Sequence, residues 1–189
     1  MFDDYSERLF AHYVNGRWRA PFGCETVPVA TRQGGFSGQI VPAGERDLAR
    51  ALRGIRPVDD AQRQNLAAHV SASIPYLAQA IAIQSWIYPD EAELGLMARA
   101  ISETVPSPVT TCVFGTDSIR LLDLGRAIGA GLGQGVIWCP PSEMAIFATA
   151  LTQIVARSNL LPGGFALLHA NTVTRQYALT QQTLKIVDI

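Results

Sequence analysis

The 189-residue sequence predicts an α/β fold, a three-layer sandwich on a mainly parallel β-sheet, preceded by an N-terminal β-hairpin. Three observations carry this expectation. Residues 109–170 alternate short apolar runs with helical periodicity in the order strand, helix, strand, helix, strand, and crossovers of this kind join parallel strands beneath covering helices. Chain breakers fall between these runs, at Pro140-Pro141 and at Leu161-Pro162-Gly163-Gly164. Near the N-terminus, Asn15-Gly16 separates two short strand-like segments and supplies the two-residue centre of a type I′ turn.

Composition sets the outer bounds. With 48% hydrophobic residues the chain can bury a sizeable core, and it reads as one domain, residues 1–189. Within it, 1–44 form a hairpin and extended segment, 45–105 form helices, and 106–189 form the parallel α/β core. The charged fraction is 16% and the net charge −1; Lys185 is the only lysine and the arginines are scattered along the chain, so no nucleic-acid partner and no membrane partner is expected. Cys24, Cys112 and Cys139 are odd in number and lack close pair spacing, which predicts reduced thiols with neither a disulfide framework nor a zinc site. The start Met-Phe-Asp-Asp-Tyr-Ser-Glu-Arg has no secretory pattern, and a soluble, cytoplasmic protein is expected.

Taken in order, Leu9 to Val14 and Arg17 to Arg19 are the hairpin arms. From Asp59 the apolar residues Leu66, Val70, Ile74, Leu77 and Ile81 mark a helical face, with Pro75 predicting a break near Ser73. Pro89-Asp90-Glu91 opens another helix with Leu94, Met97 and Ile101 on its inner face. Pro106-Ser107-Pro108 is a boundary, Val109 to Phe114 a buried strand, and Gly115 to Ser118 a turn in which Asp117 or Ser118 caps the helix on Leu121, Leu124, Ile128 and Leu132. The glycines at 125, 129, 131, 133 and 135 are outside a dinucleotide-fingerprint context and read as close-packing and turn positions. Val136 to Cys139 is a strand, Ser142 an N-cap with Glu143 in the first turn, and Ile146, Phe147, Leu151, Ile154 and Val155 the inner face of the helix that follows. Phe165 to Leu168 and Thr183 to Val187 complete the strands.

The segment Pro141-Ser142-Glu143, a helix, then Leu161-Pro162-Gly163-Gly164-Phe165 resembles the nicotinamide-binding half of the aldehyde dehydrogenase superfamily. There a Lys-Pro-Ser-Glu segment and a Leu-Pro-Pro-Gly-type turn bracket the same helix. Val14-Asn15-Gly16-Arg17-Trp18 is similar to the family's opening hairpin, Glu25 to Val29 and Gly38 to Pro42 occupy positions comparable to the extended chain that follows it there, and Ala43 to Leu52 resembles the segment in which a strand ends and the first helix begins. The resemblance implies a Rossmann-like nicotinamide-binding-domain fold, and it can be followed residue by residue. Glu143 matches a glutamate that holds the cofactor ribose, while the position of the partner lysine is occupied by Pro140. The family's oxyanion asparagine has no counterpart in Phe114-Gly115-Thr116-Asp117-Ser118, where an ionised Asp117 could only accept hydrogen bonds. Neither the nucleophilic cysteine nor the general-base glutamate has an equivalent in this sequence.

Ligands of an open parallel sheet sit beyond the strand carboxyl ends, here Gly115 to Ser118, Cys139 to Glu143 and Ala170 to Thr172. Ser142 and Glu143 therefore stand in two readings, an ordinary helix start or a vestigial NAD(P) ribose site; no cofactor is expected as a requirement. Cys139 or Ser142 with His169 is the remaining conceivable catalytic pair. The sequence thus points to a catalytically inactive aldehyde-dehydrogenase-like protein, a structural or regulatory subunit of a larger assembly. Its protein partner would be a full-length dehydrogenase, another enzyme or a second copy, with Ile186, Val187 and Ile189 as an apolar interaction edge. The alternative is the NAD(P)-binding half of a split dehydrogenase whose catalytic domain lies on another chain.

Overall fold

The computed structural model describes residues 9–31, 34–83, 90–115 and 119–189. The N-terminal chain makes β1 (Leu9–Phe10), β2 (His12–Val14), β3 (Arg17–Arg19), β4 (Val27–Ala30) and β5 (Phe36–Ile40). The expected hairpin is present, with Asn15 and Gly16 at φ 52° and 73° as a type I′ turn requires. Its first arm is shorter than the unbroken Leu9 to Val14 that the sequence predicts. The chain changes partner at Ala11: β1 pairs in parallel with β5, whereas β2 pairs with β3 and with the main sheet. Strands β1, β5 and β4 form a separate three-stranded sheet.

Four helices follow, α1 (Glu45–Gly54), α2 (Asp60–Ala72), α3 (Ile74–Ile83) and α4 (Glu91–Glu103). Asp59 and Asp90 cap α2 and α4 through side-chain bonds to the first free N–H groups. The break before Pro75 falls at Ser73, and α2 and α3 are bent by 64° there. Pro75 occupies the first turn of α3, where its missing N–H costs no helical bond. Arg63 of α2 is buried because its guanidinium donates to the backbone oxygens of Thr104 at 2.9 Å and Ser102 at 3.2 Å, closing the end of α4. Among the described residues no single helix is long and apolar enough to cross a membrane; α2 and α3 reach that length only as a bent pair.

The core alternates as expected: β6 (Thr111–Phe114), α5 (Leu121–Gly131), β7 (Val136–Cys139), α6 (Ala145–Arg157), β8 (Phe165–Leu167), α7 (Thr172–Leu179) and β9 (Lys185–Asp188). The main sheet has the order β3-β2-β8-β7-β6-β9, with β8, β7, β6 and β9 mutually parallel and the hairpin antiparallel at one side. Trp138, Leu167 and Val113 point to the face covered by α2–α6, and Cys112, Cys139, Ala166 and Leu168 to the face covered by α1 and α7. This is a three-layer α/β sandwich.

Two glycines decide how closely the layers approach. A Cβ on Gly125 would come within 2.5 Å of the Met97 oxygen, and one on Gly129 within 2.7 Å of the Ala100 oxygen, so α4 and α5 pack backbone to backbone. Residues 116–118, where Asp117 or Ser118 was expected to cap α5, lie outside the described residues. At the α5 terminus the Leu121 N–H donates to Glu93 Oε1 of α4 at 2.8 Å.

Candidate functional site

The carboxyl ends of β6, β7 and β8 border a cleft of about 250 Å³ that includes Gly115, Cys139, Pro141 and Asn171. This is where the sheet topology places a ligand site. Gly115 is held against the turn after β7: its N–H donates to the Cys139 oxygen at 3.1 Å, and a Cβ there would meet Pro141 Cδ at 2.5 Å. Asn171 begins α7 with a capping box, accepting from the Thr174 N–H at 3.1 Å while Thr174 Oγ1 accepts from the Asn171 N–H at 3.2 Å. Thr174 Oγ1 also donates to the Ala43 oxygen, tying α7 to the approach of α1.

The electrostatics of the cleft are internally balanced. Arg175 reaches across it to Asp188 with two bonds, Nε to Oδ1 at 3.1 Å and a terminal nitrogen to Oδ2 at 2.6 Å. That carboxylate holds the guanidinium above its usual range and answers its charge. Cys139 is buried beside Cys112, with sulfurs 3.8 Å apart, and all three cysteines are free thiols. Burial, with Cys112 adding to it, pushes the Cys139 thiol well above the ordinary range, which keeps it protonated.

The predicted residues divide. Ser142 is not the α6 N-cap. The Met144 N–H donates to the Pro141 oxygen at 3.0 Å, so residues 142–144 form a 3-10 turn and α6 starts only at Ala145. The cause is Pro140-Pro141: a residue before proline is driven to extended backbone, and the helix begins after a tightening turn has redirected the chain. Ser142 Oγ donates to Glu143 Oε2 at 3.0 Å, and Glu143 is exposed beside the turn and outside the cleft lining.

Cys139 and His169 are not brought together. Cys139 Sγ meets Cys112 Sγ, and no hydrogen bond joins it to His169, whose ring lies 6.0 Å from Phe10 and 6.1 Å from His12. Both ring nitrogens of His169 are buried without a hydrogen-bond partner, and burial followed by the His12 charge lowers its pKa to about 3. With neither ring nitrogen hydrogen-bonded to Cys139 or Ser142, His169 is not placed to take a proton from either. Ile186, Val187 and Ile189 are half-buried on or just past β9, which runs Lys185–Asp188 where the sequence predicts Thr183 to Val187 and stands last in the order of the described strands. The sequence does not single out Arg175, Asp188 or helix α7; its local signal there is Asn171 three residues before Thr174.

Comparison with solved structures places this architecture. The chain superposes on an NAD-dependent aldehyde dehydrogenase from Sinorhizobium meliloti with a TM-score of 0.79 at 12% identity, covering 98% of this chain and 46% of that one. Aldehyde dehydrogenase C of Pseudomonas syringae, solved with NAD+ and octanal, gives a TM-score of 0.76 at 16% identity, covering 100% and 46%. A 1-pyrroline-5-carboxylate dehydrogenase from Thermus thermophilus gives 0.76 at 15%, covering 98% and 44%. The fold is thus that of the corresponding part of aldehyde dehydrogenases, and the chain spans less than half the length of those enzymes. No protein-family model matches the sequence, and a search of curated proteins finds no match.

Proposed function

We propose that this chain is a catalytically inactive, aldehyde-dehydrogenase-like subunit of a larger cytoplasmic assembly, held to its partner by addition of a strand at β9. The observation that supports the reading is that, among the described residues, no strand pairs with the outer side of β9. The Lys185 and Ile189 N–H groups donate inward to Thr110 and Phe114. Backbone alternation then directs the polar groups of Ile186 and Asp188 outward, where another strand can pair with them. The strand-end cleft supports a role other than chemistry, because its charged pair is self-neutralised and its thiol is buried and protonated. Native-mass analysis of the protein recovered gently from its own cells tests this. A stoichiometric enzyme partner is expected, and a lone monomer would overturn the reading.

A second reading is favoured by one observation. Glu143 stands exposed at the turn after β7, oriented by Ser142, and could accept the hydroxyls of a ribose. In that case the chain is the NAD(P)-binding half of a split dehydrogenase. Calorimetry should then give binding of NAD or NADP that weakens in Glu143→Ala, and absence of heat with either nucleotide, with and without a partner, removes the idea.

A further inference from the structure

The strand opposite β9 in the sheet order is β3, Arg17-Trp18-Arg19, and it is exposed throughout. His12 pairs with Arg19 and Val14 with Arg17, so these four side chains share one face of the hairpin. Val14 is buried with Leu48 and Ala51 of α1, which identifies that face as the one α1 covers. Arg17 and Arg19 therefore emerge beside α1. On the helix itself Arg46, Arg50 and Arg53 recur at four- and three-residue spacing, opposite the buried Asp47, Leu48 and Ala51. The hairpin turn touches the end of α1, since a Cβ on Gly54 would lie 3.2 Å from Asn15 Cβ.

Arginines that look dispersed in residue order thus gather on one face. Residues 17–56 carry a net charge of +4 in a chain of net −1. Arg50 is paired with Asp47 at 2.9 Å, whereas Arg17, Arg19, Arg46 and Arg53 have no ion-pair partner among the described residues. Charge on an edge strand keeps foreign strands away, which accounts for Arg17 and Arg19. It does not account for the arginine stripe on the neighbouring helix.

We propose that this face is a docking surface for an acidic protein, one presenting several carboxylates to the guanidinium groups of β3 and α1. The inference rests on the subunit reading and names the chemistry of a second contact, at the far side of the sheet from β9. Guanidinium forks pair bidentately with carboxylates, and the excess positive charge steers an acidic partner toward this face. Single-stranded nucleic acid is disfavoured because it calls for free aromatic faces on which bases stack. Phe22 is already engaged by Arg46 and Arg50, at 4.4 and 4.5 Å from its ring centre, and Trp18 is set edge-on to Tyr13 at 5.3 Å.

The test is fluorescence anisotropy at low ionic strength with labelled poly-L-glutamate and, in parallel, an oligothymidylate of matched charge. The full chain is compared with the double variant Arg17→Glu/Arg53→Glu and with the control Arg99→Glu/Arg157→Glu, which changes net charge equally on other elements. Melting curves verify that each variant folds. Poly-L-glutamate binding should weaken at least about tenfold in the first variant and less than about threefold in the control. Equal loss in both variants, no binding to poly-L-glutamate, or oligothymidylate binding as tight and equally sensitive to Arg17 and Arg53 would each overturn the proposal. Recovery of a lone monomer from cells would instead defeat the subunit reading, whatever the anisotropy gives.

Discussion

Nδ1 of His12 stands 3.4 Å from Oδ1 of Asp47, with both side chains fully buried. The Asp47 carboxylate also accepts from the Gly44 N–H at 3.2 Å, the Phe22 N–H at 3.3 Å and the Arg50 guanidinium at 2.9 Å. One side chain thereby fastens the hairpin, the extended segment and α1 to each other. Burial alone would raise its pKa; the contact with His12 and the two backbone N–H groups outweigh that and leave it lowered. Asp47→Ala strands those donors in the interior and should lower unfolding free energy by about 2–4 kcal/mol, measured by denaturant titration. A loss below about 1 kcal/mol would contradict this role.

Acid sensitivity should follow from His169. Its folded pKa of about 3 lies below the ordinary value of 6.5, so the unfolded chain takes up a proton that the folded one refuses. Stability is therefore complete above about pH 6.5 and falls steadily toward pH 3, by about 2 kcal/mol at pH 5. Asp47, with its lowered pKa, adds a loss of the same sign at more acid pH. In His169→Gln the slope between pH 6.5 and 5 should flatten in thermal melts, and an unchanged slope would assign the effect elsewhere.

Opposite outcomes are expected for two glycines. Gly125→Ala forces a methyl against the Met97 backbone and should destabilise by about 1–3 kcal/mol as α4 and α5 are pushed apart. Gly95, inside α4 with open space around its Cα, should gain about 0.5–1 kcal/mol on change to Ala. Paired melting curves decide it, and a shared sign would refute the close-packing account.

Thiol titration should separate the cysteines. Cys24 is exposed, whereas Cys112 and Cys139 are buried, and Cys139 is held protonated. An aromatic disulfide reagent should modify one cysteine rapidly in the folded protein and three after denaturation. Rapid reaction of Cys139 in the folded chain would show that the strand-end cleft admits the reagent.

Much of the architecture was legible because short-range rules govern it. Asn15-Gly16 specifies a turn whose two positive φ values few other pairs adopt, and Pro75 limits α2 whatever surrounds it. The runs Cys112 to Phe114, Val136 to Cys139 and Phe165 to Leu167 are apolar at every position because both sheet faces are covered. Less legible were elements whose ends depend on distant partners. The Leu9 to Val14 arm divides because β1 and β2 find different sheets, and α5 takes its terminal hydrogen bond from Glu93, 28 residues away. Helix α7 has little apolar periodicity, and local capping by Asn171 with docking of Ala178 decides it.

The sequence by itself therefore determined the layer order, the hairpin, the helix break and the position of the strand-end cleft, since periodicity and chain breakers act over a few residues. Only the tertiary structure decided how that cleft is filled and what its rim presents. Arg175 and Asp188 meet across 13 residues, Cys139 meets Cys112 and not His169, and arginines from β3 and α1 share one face. Those relationships arise from strand pairing and helix docking, whose geometry fixes which distant side chains share a surface and which are kept apart.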